Sequence, residues 1–167
     1  ATVIQDDSYQ DLTAVVIPAS ATLGGKSYQV TAVGNNAFSE CNQLTSVTLP
    51  DGLVSIGNYS FRYTGLQEIT FPTSLKSIGD GAFEDCYGVT SLILPEGLES
   101  IGRNSFSYVY NLQKVILPSS LTAIGDNAFI NNQDLSSVES HIIEPCDISE
   151  SAFAGSSIWD NVNYVNI

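Results

Sequence analysis

Only a few side chains in this sequence could do covalent or metal chemistry, and their spacing is the first thing to weigh. There is one histidine, His141. A Ser-His-Asp triad would have to use it, yet no G-x-S-x-G elbow accompanies it. His141 is therefore expected to be a surface or cap residue, and a hydrolase is the least favoured reading. The three cysteines, Cys41, Cys86 and Cys146, lack the C-x-x-C spacing of a zinc site. Carboxylates are densest at Asp6-Asp7, at Glu84-Asp85, and at Asp147 with Glu150. Asp80 and Asp126 recur in one phase of a repeat. No EF-hand or calcium nonapeptide pattern joins these groups, so a solvated acidic face is the simpler reading. Asn58-Tyr59-Ser60 has the form of a glycosylation acceptor. No catalytic residue, metal ligand or cofactor is expected.

The elements that would position any site come from a repeat. Phenylalanines fall at 38, 61, 83, 106, 129 and 153, at intervals of 22 to 24 residues. A glycine stands four residues before each of the first five, at 34, 57, 79, 102 and 125, and Ser149 takes that place in the sixth. A small residue directly precedes every Phe: Ala37, Ser60, Ala82, Ser105, Ala128 and Ala152. Pro50, Pro72, Pro95 and Pro118 punctuate the middle. One unit reads L-x-x-V-x-L-P-x-x-L-x-x-I-G-x-x-A-F, followed by a turn.

A unit this short cannot bury its own apolar side. Stacking units places each Leu, Ile and Phe on its counterpart and closes one long core. Chance patterning in a sandwich explains the period poorly, and propeller blades need about 40 residues. The proline is expected to end the first strand, where a missing N–H does least harm. The glycine is expected to take a positive φ at the bend after the second strand. The small residue before Phe is expected to let coils approach. Asp80 to Asp85 reads as a single helical turn, too short to stand alone. Cys41 and Cys86 then lie two coils apart, roughly 10 Å by strand spacing. A disulfide needs Cα atoms within about 7 Å, so both are expected to be buried free thiols, with the state of Cys146 left open.

The chain reads as one domain over residues 1–167. Residues 1–33 do not follow the unit and are expected to cap the first coil, with strands at Thr2–Ile4, Ala14–Pro18 and Tyr28–Val33 and a turn at Gly24-Gly25-Lys26. Residues 34–140 carry the repeats. Residues 141–167 form a degenerate last repeat and a cap, in which Ile148 and Phe153 keep phase and Trp159 closes the end. Unhidden terminal edges would pair with other molecules.

These residues resemble a known family. Leu44-Thr-Ser-Val-Thr-Leu-Pro50, Leu53-Val-Ser-Ile-Gly57 and Ala82-Phe83-Glu-Asp-Cys86 resemble the leucine-rich repeats of the BspA-like, Treponema pallidum type found in bacterial surface proteins. The opening Val15-Val-Ile-Pro18 through Tyr28-Gln-Val-Thr-Ala-Val-Gly34 resembles the lead-in of such proteins. The likeness covers roughly residues 12 to 155. It departs from the pattern after the Phe, where only Cys41 and Cys86 keep the cysteine and Thr64, Val109 and Asn132 replace it. The expected fold is an α/β, β-dominated leucine-rich-repeat solenoid. It is a right-handed superhelix of about five repeats of 22–23 residues, with short parallel strands, short helical turns and capping segments. The resemblance implies a secreted or surface-attached protein, some of whose relatives bind host extracellular proteins or other bacteria.

Composition narrows the partners. The net charge is −13, from 18 acidic and 5 basic residues. Such a surface repels nucleic-acid phosphates and anionic lipid headgroups. No apolar run approaches the roughly 20 residues that span a bilayer. No basic-then-apolar leader opens at Ala1, so a targeting segment is not expected within this sequence. Strand alternation turns Thr48, Thr70, Ile93, Ile116 and Glu139 outward. Ile93 and Ile116 then make a modest apolar strip. Tyr63, Tyr87, Tyr108 and Tyr110 fall in the variable turns, where they either pack between coils or anchor a ligand. The favoured reading is a non-catalytic adhesion module for protein or glycan, including extracellular matrix. A spacer without a ligand is the alternative.

Overall fold

A computed structural model describes residues 1–4, 6–143 and 145–158. Each coil has three sides. The first is a short parallel strand with one apolar residue turned inward. The strands Ala14–Val16 and Ser46–Thr48 pair in parallel, as do Ser91–Ile93, Lys114–Leu117 and Ser137–Ser140. Between the two groups only an isolated bridge, Ser46 with Glu68, continues the ladder. That break falls in the coil whose turn is one residue short and where Phe71 replaces the Leu of its neighbours. Phe71 meets Phe83 edge-on at 5.7 Å.

The second side is a seven-stranded parallel sheet of two-residue strands. Its register stacks Val3, Val33, Ile56, Ile78, Ile101, Ile124 and Ile148 in one column. The third side is a turn segment running from the repeat glycine past the Phe. Here the rings stack face to face, with centroids 5.2 to 5.3 Å apart from Phe38 to Phe129 and 4.9 Å from Phe129 to Phe153. Offset aromatic stacking adds to the apolar burial itself. Phe61, Phe83 and Phe129 are fully buried.

The helical turn expected at 80–85 does not form. Gly81 and Asp85 adopt left-handed φ values of 58° and 56°, and the pair recurs in other coils, at Asn36 and Glu40, Tyr59 and Tyr63, Asn104 and Tyr108, and Asn127 and Asn131. Left-handed residues rotate alternate peptide planes out of any helix. Those peptides instead bond between coils. Phe38, Phe61, Phe83, Phe106 and Phe129 donate their N–H to Ser60, Ala82, Ser105, Ala128 and Ala152 carbonyls of the following coil. Two parallel chains flank this one, and every donor in them faces forward along the chain. Inter-coil bonding takes the place of helical bonding because a buried peptide must be paired somewhere.

The repeat glycines are a second correction. Gly34, Gly57, Gly79, Gly102 and Gly125 do not have left-handed φ. They are needed for contact distance. A Cβ at Gly102 would sit 2.7 Å from the Asp80 nitrogen and 2.7 Å from the Gly79 carbonyl carbon of the preceding coil. Gly57, Gly79 and Gly125 meet the same obstacle at 2.8 to 2.9 Å. The small residue before each Phe plays the related part foreseen for it, since Ala82, Ala128, Ser60 and Ser105 are fully buried between coils.

The N-terminal segment follows the unit more closely than its spacing shows. Leu12-Thr-Ala-Val-Val-Ile-Pro18 repeats the Leu44 to Pro50 pattern, and Ala14–Val16 pairs with the next coil as an ordinary first-side strand. Thr2–Val3 supplies the second-side strand. After a 3-10 turn at Asp7–Tyr9, the Tyr9 ring stacks on Phe38 at 5.2 Å, in the place of a Phe. An antiparallel hairpin, Ser20–Leu23 with Lys26–Gln29, is inserted between Pro18 and Val30 and is exposed along its length. Beyond it the expected strand at 28–33 divides, and only Ala32–Val33 joins the second sheet. At the other end Ile158 packs against the core. Trp159 and the aliphatic residues after it lie outside the described residues.

Candidate functional site

The inward corner after each Phe is occupied by Cys41, Thr64, Cys86, Val109, Asn132 and Ser156, all buried. Several of these tie down the carbonyl of a neighbouring Phe. Thr64 Oγ1 and Cys86 Sγ both donate to the Phe61 carbonyl, at 2.8 and 3.1 Å. Asn132 Nδ2 donates to the Phe106 carbonyl at 2.9 Å while its Oδ1 accepts the Val109 N–H at 2.8 Å. Cys86 is therefore a structural donor beside Thr64, and all three cysteines are free thiols. Burial pushes the Cys86 thiol up to about 12. Only the thiolate reacts. In native protein at pH 8, iodoacetamide should label Cys146, which is half-exposed, and leave Cys86 unmodified. Mass spectrometry after brief exposure checks this, and rapid labelling of Cys86 would contradict the packing.

The outward-facing candidates fall into two groups. Ile93 and Ile116 are direct cross-strand partners on the first sheet. Ile93 is 67% exposed, and Ile116 is half-buried between Ile93 and Glu139. In the same two coils an exposed tyrosine leads into the strand, Tyr87 before Ile93 and Tyr110 before Ile116. The other coils carry Asn42, Gly65 and Gln133 at the tyrosine position and Thr48, Thr70 and Glu139 at the isoleucine position. Among the described coils, an exposed tyrosine and an isoleucine thus coincide in two adjacent ones; in the N-terminal coil Val16, which pairs with Thr48 and is 73% exposed, stands at the isoleucine position with Gln10 at the tyrosine position. Tyr87 is held from both sides: its hydroxyl donates to the Asn42 carbonyl at 2.9 Å, and Asn111 donates to its own carbonyl at 2.6 Å. Tyr108 and Tyr110 lie 6.0 Å apart with tilted rings.

Tyr63 belongs to a second group that the sequence did not announce. The Arg62 guanidinium lies 4.4 Å from the Tyr63 ring centre and 5.5 Å from that of Tyr59. Its Nη2 donates to the Tyr63 hydroxyl at 3.0 Å. Its Nε is 2.9 Å from Glu84 Oε2, but the N–H is not aimed at that oxygen, so this contact is an ion pair and not a directed hydrogen bond. Burial raises the Glu84 carboxyl above its ordinary value despite the neighbouring Arg62 charge. Burial pulls Arg62 down, and Glu84, Tyr63 and Tyr59 together more than offset it. Both Tyr59 and Tyr63 have left-handed φ, 55° and 56°. That conformation turns their side chains along the turn column, which no spacing rule for strands or helices describes.

The remaining chemistry-bearing residues are scattered. His141 Nε2 contacts Glu139 at 2.9 Å on the exposed end of a strand. That contact, then Lys114 at 3.3 Å, holds Glu139 below the usual carboxylate range. Asp80 and Asn58 serve the backbone: their Oδ1 atoms accept the N–H of Arg103 and of Asp80 in the next coil, at 2.7 and 2.9 Å. Among the described residues no three His, Cys, Asp or Glu side chains are grouped to hold a metal. Among the same residues no helix is long and apolar enough to cross a membrane.

A family model described as a BspA type leucine-rich repeat region matches six copies over residues 29–162. No curated protein sequence matches the chain. Among solved structures, a leucine-rich repeat protein from Bacteroides ovatus is 33% identical with a TM-score of 0.70 over 75% of this chain. The chain spans only 33% of that protein. The Treponema pallidum leucine-rich repeat protein is 26% identical with a TM-score of 0.73, covering 86% of this chain and 76% of its own. A protein described as a leucine-rich cell surface protein, from Faecalibacterium prausnitzii, is 26% identical with a TM-score of 0.52, covering 79% of this chain and 48% of its own. Together, the six-copy match and the stacked Phe and Ile columns make this chain a member of the BspA-type leucine-rich-repeat family.

Proposed function

We propose that the chain is a non-catalytic binding module of a secreted or cell-surface protein, and that it engages a protein partner through the apolar sector of its third and fourth repeats. The observation that carries this reading is the coincidence of Ile93 with Tyr87 and Ile116 with Tyr110 in two adjacent coils. The tyrosine position is Asn42, Gly65 or Gln133 in the other repeats, and the isoleucine position is Thr48, Thr70 or Glu139, with Val16 in the N-terminal coil. Interfaces take their binding energy from a few aromatic and aliphatic anchors ringed by polar residues. Tyr63 and Tyr108 lie in the turn column alongside and extend the same reading. The surface location rests on the family and on the neighbour described as a cell surface protein. A spacer with no ligand is the competing reading.

The test is a triple change, Ile93→Ser, Ile116→Ser and Tyr110→Ser, with capture measured on a panel of purified extracellular-matrix proteins. The expected result is loss of capture by about 1,000-fold, as for three lost anchors of roughly 1.4 kcal/mol each, with the melting temperature within a few degrees of the parent. Capture by the parent that the triple variant leaves unchanged sinks the assignment to this sector. No capture by either protein favours the spacer.

A further inference from the structure

The turn side of the later coils holds a depression of about 260 Å³, lined by Tyr59, Asp80, Arg103, Asn104, Asp126 and Asn127. None of these belongs to the apolar sector. The lining falls into two rows, because the coils bring equivalent positions into columns. One row occupies left-handed positions: Tyr59, then Gly81, Asn104 and Asn127. Gly81 has no side chain, and the Tyr59 ring lies across it. A Cβ there would meet the ring carbons at 2.4 Å. The row therefore presents an aromatic ring followed by two carboxamides. Both carboxamides line the depression.

The other row is Asp80, Arg103 and Asp126, and it is held in place. Arg103 Nη2 and Nε donate to Asp126 Oδ2 at 2.7 and 3.2 Å. Asp126 Oδ1 also accepts from Ser149 at 2.6 Å. Asp80 is fixed by the Arg103 backbone N–H. Planar carboxylate, carboxamide and guanidinium groups hydrogen-bond neighbouring hydroxyls in pairs. An aromatic ring at one end accepts an apolar C–H face. A pyranose offers both, with hydroxyls on its rim and C–H groups on its face. The volume is near the lower end for ligand pockets, roughly 300 Å³, which suits one ring. Two carboxylates against one guanidinium, on a chain of net charge −13, disfavour acidic sugars.

We infer that this depression is a subsite for one neutral pyranose residue of a glycan. The inference rests on the reading of the chain as a binding module, but it uses a different face and a different partner. Saturation-transfer NMR on the whole chain tests it, with the methyl glycosides of glucose, galactose, mannose and N-acetylglucosamine at millimolar concentration and methyl glucuronide as the acidic control. The expected result is transfer to at least one neutral glycoside and weaker transfer to the glucuronide. Affinity should fall about tenfold in Tyr59→Ala and again in the double variant Asn104→Ala, Asn127→Ala, as for one lost binding group each. Asn104 and Asn127 hold left-handed φ, where alanine is strained, so the double variant should melt a few degrees lower, and a cooperative transition confirms that the variants fold. No transfer to any neutral glycoside overturns the inference. So does transfer that both variants leave intact, or transfer to the glucuronide as strong as to the neutral sugars. The Ile93, Ile116 and Tyr110 triple variant should keep saccharide binding, so failure of the protein-binding sector and failure of this subsite are read separately.

Discussion

Replacing Phe83 by alanine should lower the unfolding free energy by about 3 to 5 kcal/mol, the range for truncated core phenylalanines. Phe83 is 0% exposed. It stacks on Phe61 and on Phe106, each at 5.2 Å, and takes the edge of Phe71 at 5.7 Å. Truncation removes three aromatic contacts at once and leaves a void in the middle of the column. The void cannot close readily, because the backbones of adjacent coils are already in contact. Neighbouring rings are held by their own N–H bonds to the next coil, so sliding one along the axis would break backbone pairing. Urea denaturation followed by circular dichroism measures the loss. A change under 1 kcal/mol would mean that the rings contribute little beyond filling space. Phe153→Ala, at the half-exposed end of the same column, should cost less.

Gly102→Ala should cost about 1 to 3 kcal/mol, the range for forced overpacking, even though alanine is the better residue for an ordinary extended backbone. The added methyl meets the Asp80 nitrogen and the Gly79 carbonyl carbon at 2.7 Å. Asp80 Oδ1 is nearer still, at 2.5 Å, and could rotate away, but the two backbone atoms cannot. Relief requires two coils to part, which strains the Ser100–Ile101 pairing to Ser77–Ile78 and the Asp80 Oδ1 bond to the Arg103 N–H. Gly52 is the control. It has nothing within 4 Å of a built Cβ and no left-handed φ, so Gly52→Ala should be neutral or slightly stabilising. Thermal unfolding of the two variants side by side measures the difference. Equal melting temperatures would show that the coils are spaced more loosely than the structure places them.

Much of the fold was legible because a solenoid writes its geometry into a period. The Phe interval identified the column before any coordinate did, and strand alternation alone turned Ile93 outward. The disulfide-free state of Cys41 and Cys86 followed from counting coils. What escaped did so for physical reasons. Glycine serves both positive φ and close approach, and sequence does not separate the two; at Gly102 distance was the constraint. The helical reading of 80–85 failed because a short polar segment is free to satisfy its peptides elsewhere, and the next coil offered carbonyls. The N-terminal coil was hidden because Tyr9 stands in for Phe and an inserted hairpin separates Pro18 from Val30. The Arg62, Tyr59 and Glu84 group was invisible because left-handed turn residues carry their side chains across coils. Its members look unrelated along the chain. The exposure of Tyr87 and Tyr110 was foreseen only as one of two alternatives.

The forward-facing bonds of the turn side have an electrical consequence. In an α-helix, peptides aligned head to tail sum to a macroscopic dipole. Here the peptide joining Ala82 to Phe83 receives from Phe61 and gives to Ser105, and its counterparts in the other coils do the same. Three such files run along the turn side, while on the second side Gly57, Gly79, Gly102 and Gly125 donate backward to Val33, Ile56, Ile78 and Ile101, so it is the turn side by itself that carries a local field, with no α-helix there. The positive end of the turn side lies at the late coils. An acidic group brought to that rim is stabilised and a basic one is not, and every winding added to the stack lengthens the field without changing its sense.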